Sequence, residues 1–174
     1  MIPAFAANND LKMRVELIPR NLWGSNLRTL LRPATWNRLR RACYEKAGHV
    51  CEVCGHTGLE QGRKHKVEAH ERWEYNDTTA TQTYRGLIAL CPRHHEVAHI
   101  GRALATGRGG RAIQLLAITN DWTIAETEQY VNQCMMIHII RSLKGDWNLN
   151  LQDLLKEEAL TDWDRERLPL EALI

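Results

Sequence analysis

Apolar and polar residues change period several times along this chain, and each change predicts an element. Lys12-Met-Arg-Val-Glu-Leu-Ile alternates polar and apolar, the signature of a half-buried strand that Pro19 ends. Residues 1–10 read as a loose tail, and residues 21–29 fit neither period. From Pro33 the spacing widens. Trp36, Leu39, Cys43 and Ala47 make an apolar stripe, which predicts a helix opened by Pro33 and Thr35 and stopped by Gly48. Residues 66–73 and 83–90 read as paired strands, with 75–79 inside a long connection. Pro92 suits the first turn of a helix running through His99. Residues 101–110 hold four glycines and no apolar period, so they read as a flexible hinge. Helices are expected over 112–119 and 124–143. Thr123 and Glu126 form a capping box for the second, and Tyr130, Cys134, Ile137 and Arg141 mark one of its faces. A short last helix is expected from Asp146.

These elements predict an α+β fold in three parts: a basic N-terminal extension with a strand and a helix start (1–33), a small central ββα module (34–103), and a helical C-terminal region (104–174). At 174 residues a core is feasible. The first half is poor in aliphatic residues, however, and a metal staple there would relieve the shortage. The start of the chain lacks the pattern of a signal peptide. No stretch approaches the roughly 18 apolar residues of a membrane helix. The chain is therefore expected to be soluble, away from membranes and cytoplasmic.

Charge is distributed unevenly. Residues 1–66 carry 12 Lys/Arg against 5 Asp/Glu, residues 67–112 carry 6 against 5, and residues 113–174 carry 5 against 11. A basic front half suits a polyanion. Arg38, Arg40, Arg41 and Arg93 are the candidate contacts to nucleic acid, and a solvated helix face is the plainer reading of the first three. The acidic helical end is a candidate surface for a protein partner or a second copy of the chain.

The chemistry concentrates in two pairs. Cys51-x2-Cys54 is answered by Cys91-x2-His94, with 36 residues between them. Two such pairs can clamp one tetrahedral zinc, a structural ion. His94 and His95 compete for the fourth position, with His56 and His65 as outsiders. Cys43 and Cys134 stand apart, so thiolate ligands in a reducing compartment fit better than disulfides.

More histidines are present than a closed site needs. His95 and His99 lie four apart and share a helical face, while His94 points about 100° away from His95. On the preceding strand, Glu68 and His70 share a face and Ala69 points away. A histidine beside a carboxylate can act as a general base once it is held neutral and oriented. His70 facing His95 and His99 could activate water beside a divalent ion, which points to phosphodiester hydrolysis. The plainer reading makes Glu68 and His70 a hydrogen-bonded structural pair.

Residues 34–103 resemble an HNH endonuclease of the zinc-bearing ββα-metal type. Cys51-Glu-Val-Cys54-Gly resembles the first knuckle, Val67-Glu-Ala-His70 the first strand, and Leu90-Cys91-Pro-Arg-His94-His95 the second knuckle and the start of the helix. The resemblance implies His70 as general base, His95 as ligand of the catalytic ion and His99 as a second ligand, while Glu68, on the same strand face as His70, is the candidate carboxylate. That ion would be Mg²⁺, Mn²⁺, Ni²⁺ or Zn²⁺, and the substrate DNA. The chain departs from the family pattern at His94 (usually cysteine), at Ala69 (often acidic) and at Gly86 (usually asparagine), with Asn76 as a candidate replacement for that asparagine.

Three functions compete on this reading. They are a metal-dependent endonuclease, a zinc-stabilised nucleic-acid-binding module without cleavage, and a structural zinc protein that binds a partner through its acidic end.

Overall fold

The structure is a computed structural model that describes residues 11–168 and the backbone of 171–173; the tail expected over 1–10 lies outside the described residues. The fold is α+β. Short helix α1 (Leu27–Leu30) and helix α2 (Pro33–Lys46) precede a β-hairpin of β1 (Glu68–Asn76) and β2 (Thr81–Leu90). Helices α3 (Pro92–Ala98), α4 (Ile100–Ala105), α5 (Gly109–Asn120) and α6 (Ile124–Leu143) follow. Strand β3 (Asn148–Asn150), α7 (Asp162–Arg165) and β4 (Glu171–Leu173) close the chain. The sheet order is β1-β2-β3-β4, with β3 parallel to β2 and the other pairs antiparallel.

The hairpin has two unlike faces. Period-2 alternation puts Glu68 and His70 beside their partners Leu90 and Ile88 on one face, and Ala69 and Glu71 beside Ala89 and Leu87 on the other. The first face meets α3. Leu90 and Ile88 pack there with Val97, Ala98, Ile100, Leu116 and Tyr130. The second face meets α2, whose Leu39 joins Trp73, Tyr84 and Leu149 in a separate core. Cys43, Val67 and Ala89 form a small bridge between the layers. Full burial of a residue such as Leu39 contributes about 1.5–3 kcal/mol.

A bulge sets the register. Glu71 pairs with Leu87, but Trp73 pairs with Tyr84, so β2 carries one extra residue at Arg85-Gly86. In an unbroken ladder Arg85 would lie opposite Trp73, in the core. With the bulge, Tyr84 is fully buried there, and Arg85 turns out to pair with Glu74 and Asp153. Gly86 has φ 105°, which a side chain rarely tolerates. The glycine in the place expected for asparagine is therefore a register device. Asn76 closes the far end of the hairpin, where its Oδ1 accepts from the backbone N–H groups of Thr78 and Thr79. It is not near His70.

Several expectations need correction. Residues 12–18 form no strand, although they run between buried elements: Met13 and Val15 are buried, and the Glu16 N–H donates to the carbonyl of Ala98. Their alternation records burial on one side, not sheet pairing. The connection after β1 is short because both strands extend towards it. The hinge expected over 101–110 is replaced by α4, a turn and the start of α5. Two of its glycines serve close approach, and Gly107, with φ 73°, makes the turn. A Cβ on Gly109 would come within 2.5 Å of Leu104, and one on Gly101 within 3.0 Å of Leu17. The last helix is replaced by β3 and a 3-10 turn over Gln152–Lys156, because Leu149, Leu151 and Leu154 are fully buried against the second core. The helices over 33–46 and 124–143 stand as expected, with the Thr123–Glu126 capping box formed.

Candidate metal centre and catalytic cleft

The first site joins a turn to a helix start. The reversal after α2 places Cys51 and Cys54, and β2 ends at Leu90, directly before Cys91, the N-cap of α3. Pro92 occupies the first helical position, where its missing N–H costs nothing. His94 follows one turn in. Cys51, Cys54, Cys91 and His94 bring one ligand atom each to within 4.8 Å of one another and are positioned to hold a metal ion. Their separations suit a tetrahedron. Cys54 and Cys91 sulfurs are 3.9 Å apart, and His94 Nδ1 is 3.3 Å from Cys91 Sγ and 3.8 Å from Cys51 Sγ. Ligands about 2.0–2.3 Å from a tetrahedral ion stand roughly 3.3–3.8 Å apart.

The competition for the fourth position is settled by direction. His94 is buried and faces the thiols, while His95 lies on the next face of the helix. His56 and His65 are engaged elsewhere, with Glu60 and Glu68. A second set of contacts fixes the His94 ring. Its Nε2 lies 3.0 Å from Thr119 Oγ1, whose hydroxyl already donates to the carbonyl of Leu115. Nε2 must therefore carry the proton, leaving Nδ1 as the bare ligand atom. The hydrogen bond with Cys51 is the main influence that lowers the Cys91 thiol below its usual value.

The second site lies where β1 crosses α3. His70 comes from the strand, His95 from the helix, and His99 from the helix end. One ring nitrogen from each lies within the same 4.8 Å. The Nε2 atoms of His95 and His99 are 3.1 Å apart, the separation of two ligands about 2.0–2.1 Å from one ion. Burial first, then the neighbouring His70 and His95, push the His99 imidazole down to about 3, so it is neutral with a lone pair free.

Glu68 lies on the face expected for it but serves a different partner. Its carboxylate accepts from His95 Nδ1 and from His65 Nε2, the latter at 2.6 Å. The His95 hydrogen bond is the main reason its carboxyl is held down at about 2. Carboxylate support of one imidazole nitrogen turns the other towards the cleft. The expected Glu68–His70 pairing is thus replaced by Glu68–His95. The carboxylate that faces His70 is Glu16, at 3.3 Å from its Nε2. Both atoms are buried, and neither forms a hydrogen bond. Nothing in the sequence pattern singles out Glu16, because its segment lies far from the motif and reads as a strand.

The cleft beside His95 and His99, about 400 Å³, is lined by Arg63, Arg102 and Arg108. Arg108 pairs with Glu96 at 2.6 Å. A second cleft, about 710 Å³, opens on the other side of the Glu68–His95 pair, and Arg28 and Arg40 line it. Of the arginines expected to meet nucleic acid, Arg40 therefore lies at the site. Arg41 is exposed on α2, and Arg93 lies in a neighbouring recess with Arg111. Arg38 is committed to the buried carboxylate of Asp164. Arg28 belongs to the basic run that the sequence shows, whereas Arg63 and Arg102 escape a reading of the sequence because they are far apart along the chain and reach one cleft only in the fold.

No known protein family, no curated protein and no solved structure matches the chain. No helix among the described residues is long and apolar enough to cross a membrane.

Proposed function

We propose that the protein is a metal-dependent nuclease of the HNH type acting on DNA, with a structural zinc at Cys51, Cys54, Cys91 and His94. Three thiols and one imidazole suit zinc, and a closed four-ligand set leaves no position for chemistry. The observation that carries the nuclease reading is the convergence of His70, His95 and His99, the last two of which line an arginine-lined cleft. His95 and His99 hold a divalent ion, of which Mn²⁺, Ni²⁺ or Zn²⁺ suits imidazole better than Mg²⁺. Such an ion stabilises charge on the scissile phosphate and on its leaving oxygen. His70 takes a proton from water, with Glu16 as its orienting carboxylate. Glu68 holds the His95 ring, and the arginines bind the phosphates on either side.

A second reading rests on the unpartnered Nε2 of His70 and its place in the same cluster. In it His70 is a third ligand and not the base.

Plasmid cleavage by the zinc-loaded protein, with Mn²⁺, Ni²⁺, Zn²⁺ or Mg²⁺ added, tests both readings. Under the first, His70→Ala costs about 10²–10⁴-fold in rate and is not restored by more metal, whereas His95→Ala is partly restored. If excess metal rescues His70→Ala as well, His70 is a ligand. DNA binding by wild-type protein with no cleavage under any ion would leave the non-cleaving binding module instead.

A further inference from the structure

Two aromatic side chains stand outside the pattern of all the others. Trp73, Tyr84, Tyr130 and Trp147 are buried, and their polar atoms are engaged: Trp73 Nε1 with Glu71, Tyr84 Oη with Glu157, Tyr130 Oη with the Val15 N–H, and Trp147 Nε1 with the carbonyl of Arg141. Trp163, which is exposed, is sandwiched by the guanidinium groups of Arg32 and Arg167. Trp36 and Tyr44 are only half-buried and have neither a hydrogen bond nor a ring contact among the described residues. Both line the cleft that ends at Glu68 and His95.

Their spacing is regular. Trp36, Arg40 and Tyr44 follow one another at intervals of four on α2, so they form a stripe that rises about 6 Å per step. Arg40 donates from Nε to Asn37 Oδ1 at 2.8 Å, which fixes the guanidinium plane and leaves its two terminal nitrogens without a partner among the described residues. Arg28 lines the same cleft and has no ion pair among the described residues. The result is a ladder of ring, cation and ring leading into the histidine cluster.

We infer that this ladder binds unpaired nucleotides beside the scissile phosphate, so that the substrate is single-stranded or frayed at the cut. The inference rests on the nuclease reading and names its substrate class. Aromatic rings grip nucleic acid by stacking on base faces, which a closed duplex keeps covered. The 6 Å step is nearly twice the about 3.4 Å phosphate repeat of a strand in B-DNA. It therefore matches a stretched strand whose bases have left their own stack.

Fluorescence anisotropy with the full-length zinc-loaded protein tests this. The probes are a short DNA single strand, the matching blunt duplex and a duplex with one unpaired arm. The wild type is expected to bind the single strand and the armed duplex more tightly than the blunt duplex. Loss of one stacked base lowers affinity about 5- to 150-fold, so Trp36→Ala and Tyr44→Ala should each weaken the first two probes by that factor and the blunt duplex little. Trp36→Phe keeps a stacking ring and should restore most of the affinity, whereas Trp36→Leu, which refills the contact with the second core but has no stacking face, should not. Equal weakening on all three probes, or none, would overturn the ladder. Where the wild type cuts blunt duplex fastest and both alanine variants cut it equally well, the ladder fails alone. A wild type that neither binds nor cuts any probe with any ion overturns the nuclease reading and the ladder together.

Discussion

Nε2 of His70 lies 3.3 Å from the carboxylate of Glu16, and both atoms are buried without a hydrogen bond. A buried polar atom left unpaired costs about 1–3 kcal/mol, and in the proposed mechanism this pair orients the base. Glu16 is fixed from behind, since its other carboxylate oxygen accepts from the Trp73 N–H at 3.2 Å. Glu16→Gln keeps that acceptor and removes the charge beside His70. Cleavage should fall about 10- to 100-fold, the usual effect of losing an orienting partner, with little change in melting temperature. An unchanged rate would remove Glu16 from the site.

Cys51→Ser and Cys91→Ser should unfold the module around the first metal, and a strong chelator should do the same. Binding of structural zinc supplies about 10–16 kcal/mol in small zinc-bound peptides, and that is folding free energy. Thr119→Val is a finer test. It removes the acceptor for His94 Nε2 without touching a ligand, and should lower metal affinity about 10- to 100-fold in chelator competition. Cys43→Ser and Cys134→Ser, outside both clusters, should leave metal content unchanged.

Arginines differ by what already holds them. Arg40→Ala and Arg28→Ala should each flatten the salt dependence of DNA binding, by about one unit of slope for every phosphate that the variant no longer neutralises. Arg38→Ala should leave the slope unchanged, because its guanidinium is already paired with Asp164. A wild-type slope in all three variants would show that none of them meets a phosphate.

Asp164 ties α7 to α2 and predicts acid sensitivity. Burial works against its charge, but donors from Thr161, Thr35 and Arg38 outweigh that and hold its carboxyl well below its usual 3.8. A depressed folded-state value means the stabilisation is complete above about pH 4 and is lost as pH falls through 4 and lower. Asp164→Ala removes the N3 carboxylate from the capping box of α7 and leaves Thr35 and Arg38 without their partner. It should cost about 2–4 kcal/mol at pH 7. The gap between variant and wild-type melting temperatures should narrow as the pH is lowered from 7 to 3. A gap that stays constant would contradict the argument.

What depends on local spacing was legible in the order of residues alone. Helix periodicity predicted α2 and α6 within a residue or two, the cysteine pairs predicted the metal set, and the alternation of β1 put Glu68 and His70 on one face. These follow from steric rules that act over a few residues. Which imidazole takes which role was decided in three dimensions. His94 and His95 are neighbours along the chain, and only the packing of α3 between the thiols and the hairpin face sends one to each site. Packing also made Glu68 the support of His95 and set Glu16 against His70, because a carboxylate's partner is set by distance in space, and Glu16 arrives from a segment with no motif. The same holds for Gly86, whose φ is visible only in the bulge, and for Gly101 and Gly109, which read as freedom along the chain but serve close packing in the fold. A pattern of residue types records what chemistry is available. Burial and approach, which the chain settles only as a whole, select the groups that meet.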